Sequence, residues 1–458
     1  MYTVDTLVVG AGLAGLSCSY HIGHGRCLIL EGKPHAYGHI YSESLDGFTW
    51  DEGPHVSFTK NAYARDFLAE SVNGEFEEYE VIVGNYFNGD WISHPAQSNL
   101  YQVPEPLRTK CLDSFLASRN ELVNSSEPRD YKEWLCRSFG EVFAETFPSA
   151  YTRKYWTIEP ERMTTEWVGG RVFQPSVDDV ISGSRGPLDR QTHYVKKVRY
   201  PSRGGYQSYA RKLFQGANIR LNAQVEKVDL KGKMLWCKDG TSYNYKKLIS
   251  TIPLPSFINY CIDAPKELID ASQQLLCSSI QLVNVVAPHE TLRRENWMYV
   301  YDEDKLSVRI NCTEKLSPFN APEGHTGVQV EVYYSRLKPM DLSVEEVEKR
   351  VINELIEMGI ICPDRSGGRE KITAHSRIVP WANVVFHHET VGALDMILQW
   401  LSSHGLQREA DDLHPLTDWT HVGSHAGGDV ILAGRFGQWK YYWSDDCLLR
   451  GKLVADGC

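Results

Sequence analysis

Close to its beginning the chain reads Val4-Asp5-Thr6-Leu7-Val8-Val9-Gly10-Ala11-Gly12-Leu13-Ala14-Gly15, an apolar run followed by spaced glycines. The apolar run predicts a buried β-strand, and the residues after the glycines predict a helix that continues to about Ile22. Gly10 permits a tight turn, Gly12 permits close approach of a ligand to the backbone, and Gly15 permits close packing of the helix on the strand. This is the G-x-G-x-x-G pattern of a dinucleotide-binding domain, in which the helix N-terminus faces the phosphates.

An acidic residue completes the pattern. Glu31 directly follows a second predicted strand, residues 26–30. A carboxylate at this position can accept hydrogen bonds from the hydroxyls of an adenosine ribose. The alternative is a glycine-rich turn in another kind of α/β domain. A strand, a helix and an acid that follow one another at these spacings favour dinucleotide binding. We expect the dinucleotide to contact Glu31 and the turn residues Gly10, Gly12, Leu13, Ala14 and Gly15.

Size and charge exclude several classes of protein. The chain has 458 residues, more than one hydrophobic core usually supports, so we expect two or three domains. It carries 59 acidic residues against 48 lysines and arginines, a net charge of -11, and it has no basic block. A nucleic-acid-binding surface is therefore not expected, and a few local arginines must bind any anionic ligand.

The cysteines indicate a reducing compartment. Eleven scattered cysteines without a C-x-x-C pair predict a reduced, cytoplasmic chain. The first strand begins almost at the initiator Met, which leaves no room for a signal peptide, and no run of about 18 apolar residues predicts a membrane span.

His414, His421, His425 and Asp429 lie near one another in sequence, but their spacing does not match a metal site, and we expect no metal.

The residues after Glu31 narrow the choice of dinucleotide. Residues 32–41 read Gly-Lys-Pro-His-Ala-Tyr-Gly-His-Ile-Tyr, and residues 53–59 read Gly-Pro-His-Val-Ser-Phe-Thr. Here the chain resembles the FAD-binding oxidoreductases of the amine oxidase, protoporphyrinogen oxidase and UDP-galactopyranose mutase group. In that group a Gly-Gly pair lies against FAD, and a Gly-Pro-His or Gly-Ala-His turn lies near the flavin ring. The resemblance, closest to the mutases, implies FAD as the cofactor, with Gly38, His39 and His55 beside it.

Two positions depart from the pattern of this group. His39 stands where we expect the second glycine of the pair, and Phe58 stands where the mutase turn has a second histidine. A side chain at position 39 changes how closely the backbone can approach the cofactor. Either the loop shifts, or His39 itself contacts the FAD.

The resemblance also implies a fold and a division into domains. It implies an α/β fold with a Rossmann-like FAD-binding domain of the glutathione-reductase type, made of three separated pieces, residues 1–60, 200–260 and 420–458. Two inserted regions would form the substrate side. Residues 61–199 read as mainly helical, and residues 265–419 read as an antiparallel β-sheet with helices. Within residues 200–260, Val225 matches the residue that, in the resembled group, pairs through its backbone with adenine.

The segment near the end of the chain carries the most distinctive motif. Residues 434–443 read Gly-Arg-Phe-Gly-Gln-Trp-Lys-Tyr-Tyr-Trp. They resemble the mutase motif in which the arginine neighbours the flavin and the aromatic residues bind sugar and phosphate, which implies cofactor contacts for Gly434 and Arg435 and substrate contacts for Tyr441 and Trp443. Mutases often have an aspartate at the position of Trp443. Adjacent aromatic residues cannot all point inward on a helix or strand, so at least one should face a cavity.

Two more segments resemble parts of the mutases. The first, residues 151–156, is followed by Arg171, and the second, residues 307–310, contains Arg309. The resemblance implies that Trp156 lies by the nucleotide and that Arg171 and Arg309 bind its diphosphate. A planar guanidinium suits a pyrophosphate because it can donate two hydrogen bonds to the phosphate oxygens. The alternative is that each arginine forms an ordinary ion pair with an acidic side chain.

The resemblance implies an enzyme and a small-molecule partner, with no indication of oligomeric state. One hypothesis is an isomerase that uses reduced FAD to interconvert the pyranose and furanose forms of a nucleoside-diphosphate sugar, with His55, Arg309, Arg435 and Tyr441 as catalytic residues. The alternative is an FAD-dependent oxidase or dehydrogenase of an amine, porphyrinogen or polyene. A third is a flavoprotein without catalytic activity. The paired arginines favour the mutase, since an oxidase of apolar substrates does not need them.

Overall fold

The computed structural model describes residues 2–121, 127–190, 192, 195–419 and 427–457 of a mixed α/β chain. The strands are β1 (Tyr2–Val9), β2 (Cys27–Leu30), β3 (Ser42–Leu45), β4 (Phe48–Asp51), β5 (Phe76–Glu80), β6 (Val83–Phe87), β7 (Asp90–Ser93), β8 (Lys197–Pro201), β9 (Ile219–Arg220), β10 (Val225–Asp229), β11 (Met234–Cys237), β12 (Ser242–Ser250), β13 (Cys277–Ala287), β14 (Trp297–Val300), β15 (Arg309–Cys312), β16 (Thr326–Tyr334), β17 (Thr373–Val384) and β18 (Val430–Leu432). The helices are α1 (Leu13–Ile22), α2 (Ala62–Ser71), α3 (Leu107–Glu121), α4 (Tyr131–Phe139), α5 (Glu141–Ala144), α6 (Ala150–Tyr155), α7 (Val177–Arg185), α8 (Arg211–Phe214), α9 (Leu254–Tyr260), α10 (Lys266–Gln274), α11 (Val344–Glu357), α12 (Pro363–Ser366), α13 (Thr390–Ser402) and α14 (Ser444–Asp456).

The first sheet is parallel at its centre. Its strands lie in the order β18, β12, β1, β2, β9, each parallel to its neighbours, and β11 and β10 extend the sheet in antiparallel fashion beside β12. The side chains of β1 alternate between two hydrophobic cores, with Leu7 and Val9 in one and Val8 in the other. Because both faces are covered, the strand reads as a continuous apolar run.

The second sheet is mostly antiparallel. Its strands lie in the order β17, β13, β16, β15, β14, β6, β7, and the pair formed by β14 and β6 is parallel. Helix α11 covers one face, where its buried residues Val347, Val351 and Leu355 belong to the same core as the strands. Arg309 of β15 lies opposite Glu331 of β16, so register alone brings this arginine beside an acid.

A short hairpin, β3 with β4, joins the two sheets. At its end the backbone oxygen of Asp51 accepts a hydrogen bond from Gln329 Nε2 of the second sheet, 2.8 Å away. The Asp51 carboxylate accepts hydrogen bonds from Ser42 Oγ at 2.6 Å and from the Tyr200 hydroxyl at 2.7 Å. Burial raises the pKa of Asp51 to about 6 although these donors oppose the shift. The hairpin therefore anchors residues 52–55 between the sheets.

The region between residues 61 and 199 contains more than helices. It includes helices α2 to α7, and also strands β5 to β8, of which β6 and β7 belong to the second sheet. Most of its buried aromatic side chains share one core with the parallel sheet and with α9, α10 and α13. Within the described residues, no helix is both long and apolar enough to cross a membrane.

Candidate active site

A cavity of about 650 Å³ lies where the two sheets and the helical region meet. Its volume is within the range of about 300 to 1,000 Å³ that small-molecule and cofactor sites occupy. All the site residues predicted from the sequence line it except Gly15 and Val225. The cavity therefore brings together residues from Gly10 to Cys447 of the chain, and its two ends differ in construction.

One end is formed by the glycine-rich turn before α1. Gly10 has a φ of +101°, and a β-carbon at Gly15 would collide with the carbonyl oxygen of Gly10, so the helix packs on the strand as predicted. Gly12 precedes the first turn of α1, whose N–H groups have no side-chain cap and no acidic residue among them. An uncapped helix N-terminus at a cavity fits an anionic group such as a pyrophosphate.

The carboxylate of Glu31 is oriented by the same turn. Its Oε2 accepts a hydrogen bond from Ala11 N at 2.8 Å, and its Oε1 accepts one from Lys33 N at 2.9 Å. Glu31 lines the cavity, as predicted for a residue that binds a ribose. Val225 does not line the cavity; it is buried in β10 opposite Cys237. The predicted adenine contact of Val225 is therefore not part of this cavity.

The loop after Lys33 corrects one prediction from the sequence. The left-handed backbone conformations that favour glycine fall on Tyr37, with a φ of 81°, and on Gly38, with a φ of 54°. His39 follows them in a 3-10 turn without positive φ. Tyr37, and not His39, is therefore the side chain at a glycine-type position. A β-carbon at Gly38 would lie only 2.9 Å from Cα of Gly12, which makes the loop and the turn a single close-packed unit.

A buried carboxylate holds His39. Its Nδ1 lies 2.8 Å from Oε1 of Glu52, and Glu52 Oε2 lies 3.1 Å from Arg377 and 4.0 Å from Lys33. Burial alone would raise the pKa of Glu52, but the hydrogen bond from His39 and the nearby cations lower it to about 2. Glu52 is thus an anion, and no motif in the sequence had indicated it.

His55 is an uncharged histidine in the cavity wall. Burial, together with the positive charge of Arg309, lowers the pKa of His55 to about 4. Its Nδ1 lies 2.8 Å from the carbonyl oxygen of Gly53, so Nδ1 carries the proton and donates it to that carbonyl. In this tautomer Nε2 is a hydrogen-bond acceptor, available to a ligand in the cavity.

The C-terminal motif reaches the cavity from the first sheet. Gly434 has a φ of +83°, and a β-carbon there would lie 2.8 Å from Cβ of Ala14, so this turn packs against the start of α1. Arg435 donates from Nη2 to Asn383 Oδ1 at 2.8 Å, and its guanidinium lies 5.0 Å from the ring centre of Tyr441. The buried Nε of Arg435 has no hydrogen-bond partner among the described residues, which fits contact with a bound group.

Aromatic side chains form the other end of the cavity. Tyr441, Tyr442 and Trp443 line it, whereas Trp439 is buried in the core, so the prediction that at least one of these four faces a cavity is confirmed. The ring of Tyr441 lies 5.6 Å from that of Trp156, which also lines the cavity.

Arg171 is stacked within this aromatic end. Its guanidinium carbon lies 4.4 Å from the ring centre of Tyr441 and 3.8 Å from that of Trp443. Nη2 donates a hydrogen bond to the backbone oxygen of Tyr441 at 2.6 Å and lies 3.8 Å from Asp446 Oδ2. Burial, with repulsion from Asp445, raises the pKa of Asp446 to about 6. Because the guanidinium is stacked on the rings of Tyr441 and Trp443, it can donate hydrogen bonds to a ligand only from its edges.

Arg309 lines the cavity and also forms the ion pair that the alternative interpretation predicted. Its Nε and Nη2 donate to the two carboxylate oxygens of Glu331 at 2.7 and 2.6 Å. The Tyr333 hydroxyl donates to the same carboxylate at 3.0 Å. Nη1 takes no part in the pair. The positive charge of Arg309 is therefore largely balanced within the protein.

Several side chains of the cavity had no signal in the sequence. Six tyrosines, buried or half-buried, line the cavity that contains the Arg309–Glu331 pair, and segments distant in sequence supply them. These tyrosines are Tyr131, Tyr151, Tyr155, Tyr299, Tyr301 and Tyr333. Among the described residues, no three His, Cys, Asp or Glu side chains are arranged to hold a metal ion, and His421 and His425 lie outside the described residues.

Comparison with known proteins agrees with this architecture. The chain superposes with a TM-score of 0.85 on a crystal structure of reduced UDP-galactopyranose mutase, at 21% identity over 99% of this chain and 95% of that one. It superposes with a TM-score of 0.61 on putrescine oxidase bound to putrescine, at 13% identity over 99% of this chain and 98% of that one. At such identities the likeness shows the fold alone.

In sequence, the chain is 26% identical over 171 residues to the Klebsiella pneumoniae protein named "Probable UDP-galactopyranose mutase". The match covers 36% of this chain and 44% of that protein, so the chain aligns with less than half of this relative. A model of the family described as "Flavin containing amine oxidoreductase" matches residues 13–456, nearly the whole chain. The protein is a flavoenzyme whose cofactor is FAD, and it belongs to the flavin-containing amine oxidoreductase family.

Proposed function

We propose that the protein is an FAD-dependent mutase that changes the ring size of the sugar in a nucleoside-diphosphate sugar. The observation that carries this proposal is the continuity of the cavity: it runs from the glycine-rich turn to the stack of Tyr441, Arg171 and Trp443. A cation held between aromatic rings offers both the charge for a diphosphate and flat surfaces for a sugar or a base.

FAD would occupy the end formed by backbone. The N-terminus of α1, with Gly10, Gly12, Leu13 and Ala14, would hold the pyrophosphate, and Glu31 would accept hydrogen bonds from the ribose. Gly38, His39, Gly434 and Arg435 line the space beyond. Reduced FAD would supply a nucleophile for the anomeric carbon, with no net redox change. The domain division, with residues 1–60, 200–260 and 420–458 forming the FAD-binding part, belongs to this proposal.

The aromatic end would hold the nucleotide sugar. Arg171, fixed by its stack, would donate to the diphosphate from an edge of the guanidinium, and Arg309 would add a donor from Nη1. Trp156 would pack by the nucleotide, and Tyr441 would bind the phosphate next to the sugar. His55, neutral and with Nε2 as acceptor, would accept a hydrogen bond from a hydroxyl group near the reacting carbon.

One observation favours the alternative, an oxidase or dehydrogenase. Glu331 neutralises Arg309, and tyrosines surround the pair, so this part of the cavity offers less free positive charge than the sequence suggested. A less polar or a cationic substrate would meet little repulsion there. Family membership is compatible with both reactions.

One pair of assays separates the two functions. The purified holoenzyme, reduced with dithionite, is incubated with UDP-galactofuranose, and the pyranose form is followed by chromatography; a mutase converts it only when reduced. Peroxide formation from a diamine or a porphyrinogen, without ring exchange, would contradict the proposal. Arg171→Leu should abolish exchange. Arg203→Leu is the matched control, because Arg203 also lies over a ring, that of Phe319 at 3.7 Å, but is exposed and outside the cavity.

A further inference from the structure

His39 occupies an unusual position between a buried acid and the cavity. Its side chain is 36% exposed, whereas that of Glu52, which its Nδ1 contacts at 2.8 Å, is 1% exposed. The ring lies 5.0 Å from that of Phe436, and the residue lines the cavity. Because Glu52 engages Nδ1, Nε2 is the ring atom left to bind a ligand.

The loop that carries His39 lies directly on the glycine-rich turn. Tyr37 N donates to the carbonyl oxygen of Ala11 at 2.8 Å, and a β-carbon at Gly38 would lie only 2.9 Å from Cα of Gly12. In a G-x-G-x-x-G turn the second glycine is where the backbone meets the pyrophosphate. His39 is therefore one residue away from the part of the wall where phosphates are expected.

The charges around Glu52 favour an anion on the cavity side. Glu52 stays ionised, since its pKa is lowered to about 2 by His39, Lys33 and Arg377 against the effect of burial. It faces two permanent cations, Arg377 at 3.1 Å and Lys33 at 4.0 Å, in addition to the imidazole. A carboxylate on one side of an imidazole compensates a positive charge on the ring, which can then donate from its other nitrogen.

We propose that His39, held by Glu52, donates a hydrogen bond from its protonated Nε2 to the pyrophosphate of FAD. This inference rests on the location of FAD given under the proposed function. It adds a charged donor to the uncharged N–H groups of the α1 N-terminus. The protein should therefore bind FAD more tightly when His39 is protonated than when it is neutral.

The other titratable groups near His39 can be separated from it. His55, whose pKa is lowered to about 4 by burial, is already neutral where a histidine ordinarily titrates. His35 is different: its Nε2 lies 3.2 Å from Arg377 Nη2, but it does not line the cavity. His35 is thus the matched control, a histidine in the same loop and the same network without contact to the cofactor.

The test measures FAD release from the holoenzyme and does not depend on turnover. Release is followed by the fluorescence of free FAD at about pH 6 and about pH 8, on either side of the ordinary pKa of a histidine side chain. Loss of a charge-assisted hydrogen bond should make release roughly tenfold faster at the higher pH. His39→Asn should release FAD at the faster rate at both pH values, and His35→Asn should behave like the unmodified protein.

A second measurement locates the contact. ADP and adenosine are each allowed to compete with FAD for the apoprotein, which separates the contribution of the diphosphate from that of the nucleoside. His39→Asn should weaken the binding of ADP roughly tenfold and leave the binding of adenosine unchanged. Equal weakening of both ligands, or pH-dependent release that persists in His39→Asn, would overturn the inference. Glu52→Gln should also remove the pH dependence. Because neither measurement uses a sugar nucleotide, the role of His39 can be supported or contradicted even if the protein has no mutase activity.

Discussion

At one end of the cavity the wall is backbone, and at the other end it is side chains. The turn at Gly10 to Ala14 presents N–H groups, and Gly38 and Gly434 pack on it so closely that a β-carbon at either position would collide. The far end consists of side chains: Arg171, from the loop before α7, is stacked on Tyr441 and Trp443 of the C-terminal motif, and Arg309 of β15 is paired with Glu331 of β16. A backbone wall suits an invariant part of a cofactor, because it cannot be changed without moving the helix. A side-chain wall can change with the substrate while the fold persists.

The largest expected effect concerns the pair of charges at the side-chain end. Glu331→Gln removes the buried anion of the pair and leaves the half-buried Arg309 guanidinium without an anionic partner, which should cost about 3 kcal/mol of unfolding free energy. Denaturant unfolding of the holoenzyme measures it. Glu226→Gln, at an exposed position of β10, is the control. A loss below about 1 kcal/mol would mean that the pair behaves as a surface salt bridge.

The backbone end should be nearly as sensitive, and for a different reason. A β-carbon at Gly15 would collide with the carbonyl oxygen of Gly10, so Gly15→Ala should move α1 from its strand, cost about 3 kcal/mol and release FAD. Gly25→Ala adds the same methyl group where nothing lies within 4 Å. FAD absorbance after gel filtration, together with thermal unfolding, compares the two variants. Retention of FAD by Gly15→Ala would show that the turn can relax.

Glu52 lines the cavity beside His39, and its contribution to stability depends on pH. Its pKa in the folded protein is about 2, below the ordinary value of 4.5. The ionised form is therefore stabilised by folding: the contribution, about 3 kcal/mol, is complete above the ordinary pKa and is lost as the pH falls towards 2. The unfolding free energy should drop over this interval in the unmodified protein and much less in Glu52→Gln. Parallel acid profiles for the two proteins would contradict this account.

The smallest expected effect comes from a change at Trp443, and it tests most directly whether the two ends of the cavity act independently. Trp443→Ala removes one face of the Arg171 stack, about 1 kcal/mol of cation–π attraction. Binding of UDP, measured calorimetrically, should weaken roughly fivefold, with FAD content unchanged because no FAD-binding backbone is disturbed. Trp443→Phe keeps a ring and should lose less. Loss of FAD from Trp443→Ala would show that the two ends are not independent.

Only part of the site could be predicted from the sequence. The roles of Gly10 and Gly15 follow from local geometry, since a strand, a turn and a helix in immediate succession allow little freedom. The residue at a glycine-type position in the next loop was assigned wrongly, to His39, because only backbone angles show that Tyr37 has this conformation. Glu52 and the wall tyrosines outside residues 151–156 were missed, because their partners are distant in sequence and no motif contains them.

The sequence by itself determined the buried strand β1, the glycine-rich turn and the helix α1 that follows it, because these depend on contacts between residues close along the chain. It also determined that an aromatic side chain of the last motif must face a cavity. Tertiary structure alone decided that Arg309 is neutralised by Glu331 and that Arg171 is held between two rings. The charge that an arginine presents to a ligand depends on what the folded chain places around it, and strand register and loop packing set those neighbours.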